Sequence, residues 1–366
     1  MKVLCINTNG LHNDGITNSI LNYYKHMDRE NFKIDLLKTK DIDCLLKKRI
    51  ESIGLEIKFS DYRKNVIRYI LKTSKLIREE KYDIVHVHGS SAILSIDLLA
   101  AWLGGCRVRI AHSRNTKCDH WIADKVLRPL FYMLVTDCYA CGEEAGKWLF
   151  RKRTFTIINN GKDLKKFKFQ HQTRNIIREQ YGWNGRIILG HVGNFTYQKN
   201  HHFLIDVFYE LYKKNPQFYL VLIGTGTEYF EKINNKVKEL QLEENVCFMG
   251  SINNVSDILN AMDIMLFPSH FEGLPNVVLE WQCSGVPSVI SDKITRECAI
   301  TDLVEYLPID QGVGIWCDKI NNISLSMDRE KDSINACESM KKAHFDIVEN
   351  AKYLRSLYID LIKEAQ

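Results

Sequence analysis

Short apolar runs alternate with longer stretches of helical periodicity along this chain, and that alternation limits the folds open to it. In the first half, residues 3–6, 34–37, 84–88 and 108–112 read as buried strands, and 15–27, 62–80, 91–103 and 121–134 as helices. The scheme repeats in the second half. Strands are expected at 187–192, 219–223, 246–249, 264–267 and 287–290, with helices near 200–214, 228–240, 254–260 and 276–284. Strands that alternate with helices must lie parallel, because each helix carries the chain back across the sheet. The expected class is therefore α/β, with two doubly wound parallel-sheet domains of Rossmann type facing each other across a cleft. At 366 residues the chain has room for two such domains. The polar stretch 165–172 suggests the boundary. The expected division is 1–167 and 168–345, with a C-terminal helix over 346–366 packing back on the first domain.

Charge divides the chain as well. Residues 1–168 carry 31 Lys and Arg against 19 Asp and Glu, whereas the remainder carries 19 against 26. A basic half joined to an acidic half points to an anionic partner for the first half only. Over 62–80, Ile67, Ile70, Leu71, Ser74 and Ile77 follow helical spacing and are expected to face the core. Lys64, Arg68, Lys72 and Lys75 lie together on another side, a face suited to an anionic membrane surface. No apolar stretch approaches the length of a membrane span. Val3-Leu4-Cys5-Ile6 is too short for a signal peptide and reads as a first strand. Eleven cysteines without a secretion signal read as free thiols of a cytoplasmic protein. Cys138-x-x-Cys141 has no second pair or paired histidines nearby and reads as core rather than as a zinc site.

Chemistry concentrates in the second half. Glu272-Gly273-Leu274-Pro275-Asn276-Val277-Val278-Leu279-Glu280 follows the apolar run 264–267. Pro275 and Asn276 mark a helix start. One carboxylate then sits in a strand-to-helix loop and the other on the second turn of the helix. The N–H groups of Asn276, Val277 and Val278 converge between them, which is a place for an anion with hydroxyl acceptors beside it. Lys199 lies in the loop after the strand 187–192, where an ammonium can neutralise phosphate. Gly224-Thr225-Gly226 lacks the third glycine of a dinucleotide fingerprint, since position 229 is Tyr. Asp41-Ile42-Asp43 sits among lysines outside any strand and reads as a solvated loop rather than a metal site. His86 and His88 alternate on one strand and share a face. No third ligand is evident beside them, so His88 is expected to line a cleft and His86 to pack.

These segments, with Gly193-Asn194-Phe195-x-x-Gln198-Lys199-Asn200-His201, Asn160-Gly161-x-Asp163-x-x-x-Phe167, Leu222-Ile223-Gly224-x-Gly226 and Phe248-x-Gly250, resemble the family 4 retaining glycosyltransferases. Through Ser291-Asp292-Lys293-Ile294-Thr295 and Leu307-Pro308 the chain further resembles their bacterial capsule and exopolysaccharide branch. The family likeness spans roughly 155–300 and continues more loosely through Asp14-Gly15, Val85-His86-Val87-His88 and Ala111-His112-Ser113. The resemblance implies a GT-B fold and transfer of a sugar from a nucleotide donor, expected to be UDP-linked, to a lipid-linked or growing surface glycan with retained configuration. It implies that Glu272 contacts donor sugar hydroxyls and that Glu280 binds the ribose diol. Lys199, Gly15 and the helix terminus would meet the diphosphate, and His112 the donor sugar. No metal, cofactor or nucleic-acid partner is expected. Asn194, Gly273 and Leu274 are expected at the donor as well, although Asn194 stands where the family often has Arg, and Arg114 or Arg296 could replace the missing charge. A GT-B epimerase or phosphorylase, and an inactive membrane-bound scaffold, are the competing readings.

Overall fold

The computed structural model describes the chain except residues 13, 62, 117, 119, 253, 324–327 and 366. It divides into two compact units, one of residues 1–161 with 344–366 and one of residues 162–343. The chain thus passes between units at Gly161 and Lys162, a little before the expected 167/168.

The first unit is built on seven strands: β1 (Lys2–Asn7), β2 (Lys33–Lys38), β3 (Glu56–Phe59), β4 (Ile84–Gly89), β5 (Val108–Ser113), β6 (Asp137–Ala140) and β7 (Thr156–Ile157). Their order is β3-β2-β1-β4-β5-β6-β7, and every pairing is parallel. One face of the sheet is covered by the helices Gly15–His26 and Ile347–Ala365, which bring Ile20, Tyr23, Tyr24, Leu354 and Tyr358 into one core. The other face is covered by Val66–Glu80, Ser95–Leu103 and Trp121–Leu134, packed through Tyr69, Ile77, Leu98 and Phe131.

The second unit repeats the plan with β8 (Ile187–Val192), β9 (Phe218–Ile223), β10 (Val246–Gly250), β11 (Ile264–Phe267), β12 (Ser288–Ser291) and β13 (Val304–Leu307). Their order is β10-β9-β8-β11-β12-β13, again all parallel. In both sheets the chain works outward from a central strand and then reverses. The reversal opens a crevice at the carboxyl ends of β1 and β4, and of β8 and β11, where ligands of such sheets bind.

The helix Val66–Glu80 differs from expectation. Ile67 and Leu71 are exposed, at 73% and 61%, and the inward positions are Tyr69, Thr73, Ser74 and Ile77. Tyr69 sets this rotation by donating to the buried Asp97 at 2.5 Å. The basic face is also not of one sign. Asp61 pairs with Arg68 at 2.5 Å and Lys72 at 3.0 Å, Glu79 lies 3.7 Å from Lys75, and Lys64 precedes the helix. Asp43 is the N-cap of the helix Cys44–Ser52, accepting from Leu45 N and Leu46 N at 3.0 Å. All eleven cysteines are free, and burial raises the Cys138 thiol to about 11.

Candidate functional site

In the second unit the loops after β8 and β11 are clasped together. His270 N donates to Gln198 O at 2.8 Å, Gln198 Nε2 to Phe271 O at 3.0 Å, and Asn200 Nδ2 to Pro268 O at 3.1 Å. This clasp brings Lys199 to Glu272. The ammonium donates to Oε1 at 2.7 Å and lies 4.5 Å from the centre of the Phe267 ring. The pair is partly buried, with side-chain exposures of 18% and 10%. An ion pair screened from water on one side is stronger than a surface pair.

Gly273 is exposed and Leu274 half-buried, and Pro275 then caps the helix Asn276–Cys283. Apolar Val278, Leu279 and Trp281 hold that helix in the core. Gln282 fixes it further, donating to Cys298 O at 2.7 Å and accepting from Ile300 N at 2.9 Å. The N–H groups of Asn276 and Val277 have no acceptor among the described residues, and the buried Asn276 Oδ1 is likewise unpaired. Val278 differs from expectation, since its N–H already donates to Pro275 O at 3.2 Å and is the weaker anion donor of the three. Glu280 accepts from the buried Lys162 at 2.8 Å. Lys162 lies 118 residues away in sequence, and the sequence analysis missed it. Its neighbours Asn160, Gly161 and Asp163 were the only available signal.

Asn194 does not reach toward these pairs. Its Oδ1 accepts from Thr225 N at 3.1 Å and so ties the β8 loop to the β9 loop. Gly224 is required there. Its φ is +152°, and a Cβ would fall 2.1 Å from Gly193 O. Neither arginine considered as a substitute is idle. Arg296 stacks on Tyr306 at 3.8 Å within its own unit, and Arg114 is engaged within the first.

In the first unit, Gly15 opens a helix capped by Asp14, whose side chain accepts from Thr17 N at 2.7 Å. A Cβ on Gly15 would meet nothing within 4 Å, so packing alone does not demand glycine there. His112 on β5 is fully buried, and His86 is not mere packing. A chain of hydrogen bonds links Tyr24 and Tyr358 hydroxyls at 3.0 Å, Tyr358 and His86 Nδ1 at 2.6 Å, and His86 Nε2 and His112 Nδ1 at 3.1 Å. It ends at His112 Nε2, which is buried without a partner. His88 Nδ1 accepts from Arg114 Nε at 3.0 Å, and Arg114 also donates to Asn160 Oδ1 at 2.7 Å. Burial holds all three histidines well below the usual imidazole range, and the Arg114 charge adds to this, so they are neutral. Their nitrogens lie within 4.8 Å of one another, so a third histidine does accompany His86 and His88. A divalent ion there would face the Arg114 guanidinium and would have to break the His86–His112 bond.

Comparison with known proteins agrees with this architecture. Residues 173–325 match the model for glycosyl transferases group 1, and residues 13–166 match that for glycosyltransferase family 4. EpsF of Bacillus subtilis, described as a glycosyltransferase, is 29% identical over 95% of this chain and 94% of its own length. The UDP-Gal:α-D-GlcNAc-diphosphoundecaprenol α-1,3-galactosyltransferase of Escherichia coli is 25% identical over 81% of this chain and 80% of its own. Among solved structures, HepE of Anabaena with UDP and glucose superposes with a TM-score of 0.79 at 17% identity, covering 98% of this chain and 99% of that one. With both units matched in sequence and the whole chain matched in fold, the protein belongs to the family 4 glycosyltransferases of GT-B fold.

Proposed function

We propose that this glycosyltransferase moves a hexose from a UDP-linked donor to a lipid-linked or growing surface polysaccharide, with retention at the anomeric carbon. The observation that carries the reading is the pair of cation–carboxylate contacts, Lys199–Glu272 and Lys162–Glu280, on either side of a free helix N-terminus. An arriving diphosphate takes the Lys199 ammonium and the N–H groups of Asn276 and Val277. Glu272, released from part of its ion pair, then accepts hydrogen bonds from hydroxyls of the donor sugar. Glu280, held by Lys162, accepts from the ribose diol. As the bond to the sugar breaks, charge grows on the diphosphate, and donors already aimed at it stabilise that charge without reorganising. Lys199 and the helix terminus carry it without a divalent ion. The family resemblance adds Gly15 and His112, both in the first unit, to the residues expected to meet the donor.

The lipid-linked acceptor is supported by the Escherichia coli relative, a galactosyltransferase named for its GlcNAc-diphosphoundecaprenol substrate. An acceptor of that kind is held in a membrane. No described helix is long and apolar enough to cross one, and residues 1–168 carry the excess of positive charge, so we place the enzyme at the cytoplasmic surface of an anionic membrane. The test is a thermal-shift screen of nucleotide sugars, followed by UDP release with lipid-linked acceptors. UDP release that requires the acceptor, with an α-linked product from an α-linked donor, is expected. UDP release or epimerisation without an acceptor would identify an epimerase or hydrolase instead, and nucleotide binding without turnover of any acceptor would identify a scaffold.

A further inference from the structure

The helix Trp121–Leu134 has two unlike faces. Its inner face is fully satisfied. Phe131 and Leu134 enter the core, and the buried Asp124 accepts from Ala92 N at 2.8 Å and from Arg128 Nε at 2.9 Å. Its outer face is apolar. Trp121, Ile122, Val126 and Met133 are 67%, 61%, 70% and 71% exposed. Lys125 is the one exposed charge on the helix. An ordinary surface helix turns charged side chains to water at such positions. At the edge of this face lies a shallow depression of about 430 Å³, with Trp121, Lys125, Tyr132 and Arg151 in its lining. Neither Lys125 nor Arg151 forms an ion pair among the described residues, in contrast to Arg68 and Lys72 on the helix Val66–Glu80.

We propose that this face is where the protein lies on a bilayer. The apolar side chains enter the boundary between headgroups and acyl chains, and Lys125 and Arg151 take lipid phosphates at the depression. A large apolar face with tryptophan, with no exposed acid on the helix itself and edged by cations that have no ion pair among the described residues, matches an anionic interface. A second copy of the chain matches it less well. A two-fold interface lays the patch on itself and would bring these unpaired cations together. The inference deepens the membrane-side acceptor of the proposed function and rests on it only there, since vesicle binding is read without turnover.

The experiment is sedimentation of the full chain with phosphatidylcholine vesicles, with and without phosphatidylglycerol. Three proteins are compared: wild type, Ile122→Asp with Val126→Asp, and Lys125→Glu with Arg151→Glu. All four positions are exposed, so an unchanged thermal midpoint and unchanged UDP titration should accompany each variant. The apolar variant should lose roughly tenfold or more in partitioning to anionic vesicles. The charge variant should lose its preference for anionic over neutral vesicles. Variants that sediment like wild type, or a wild type that binds neither vesicle, overturn the proposal. So does a wild-type dimer in analytical ultracentrifugation that the apolar variant converts to monomer, because the face then belongs to a second copy. Failure of UDP to bind wild type would count against the donor reading and leave vesicle binding to be judged separately.

Discussion

The two units share a sheet plan but solve the problem of buried polar groups in opposite ways. At the switch point of the second unit, each carboxylate has an ammonium partner at 2.7–2.8 Å, and both pairs keep some exposure. At the corresponding crevice of the first unit three histidines and an arginine gather with no acid bonded to them among the described residues, and burial keeps the imidazoles neutral. Exchangeable charge suits a ligand that arrives and leaves as an anion. A neutral hydrogen-bond chain that stops at an unpaired His112 Nε2 suits a neutral, hydroxyl-bearing ligand. The division of labour is thus written in the kind of partner each polar group has.

The sharpest break of this contrast is Lys199→Ala. It removes the ammonium paired with Glu272 and leaves that carboxylate partly buried without this partner. Turnover should fall by about 10²–10³-fold, and Asn194, tied to Thr225, has no charge to compensate. Activity within a few-fold of wild type in a steady-state UDP-release assay would remove Lys199 from the mechanism.

Glu280→Gln and Lys162→Met act on the other pair. Losing a charged hydrogen bond costs about 1.5–3 kcal/mol, so UDP should bind roughly ten- to a hundredfold more weakly to Glu280→Gln. Lys162 is a positioning residue in this account. Lys162→Met should raise the KM for the donor more than it lowers kcat, and a variant with the reverse pattern would place Lys162 on the diphosphate instead. Glu272→Gln, by contrast, should act mainly on kcat.

Gly15→Ala sharpens the comparison from the first unit. The space around it is open, so the thermal midpoint should hold while donor affinity drops several-fold, on the order of 1 kcal/mol. Unchanged affinity would make this glycine a turn residue only.

A last effect is on the pH dependence of stability rather than on turnover or affinity. A buried neutral histidine has its folded pKa depressed, so its contribution is present above about pH 6.5 and is lost as pH falls from there toward the folded value. Each such histidine steepens the acid side of the stability curve by up to about 1.4 kcal/mol per pH unit. His88→Asn should therefore flatten the fall in thermal midpoint between pH 7 and 5. An identical profile would mean His88 is not neutral in the folded chain.

Much of this was legible in the sequence where the signal was local. The buried strands β1 and β11 hold continuous apolar runs, β4 and β8 are apolar runs interrupted only by His and Gly, and the loop from Glu272 to Glu280 announces its own helix start. The short strands β3, β6, β7 and β13 were not foreseen. Glu56-Ile57-Lys58-Phe59 mixes charge with apolar residues, as a half-exposed edge strand does. The rotation of the helix Val66–Glu80 was misjudged because Tyr69, through its bond to Asp97, outweighs the aliphatic positions that periodicity favours. Lys162 and Tyr358 were invisible for another reason. Their partners lie 118 and 272 residues away, and only the folded sheet brings them together.

The central claim is that the second unit seats a nucleoside diphosphate between its two cation–carboxylate pairs. Calorimetric titration of UDP in excess EDTA tests it most directly, comparing wild type with Lys199→Met and Glu280→Gln. The account predicts metal-free binding to wild type and a loss of roughly tenfold or more in both variants. Equal affinity in all three proteins, or binding that appears only when a divalent ion is restored, would contradict it.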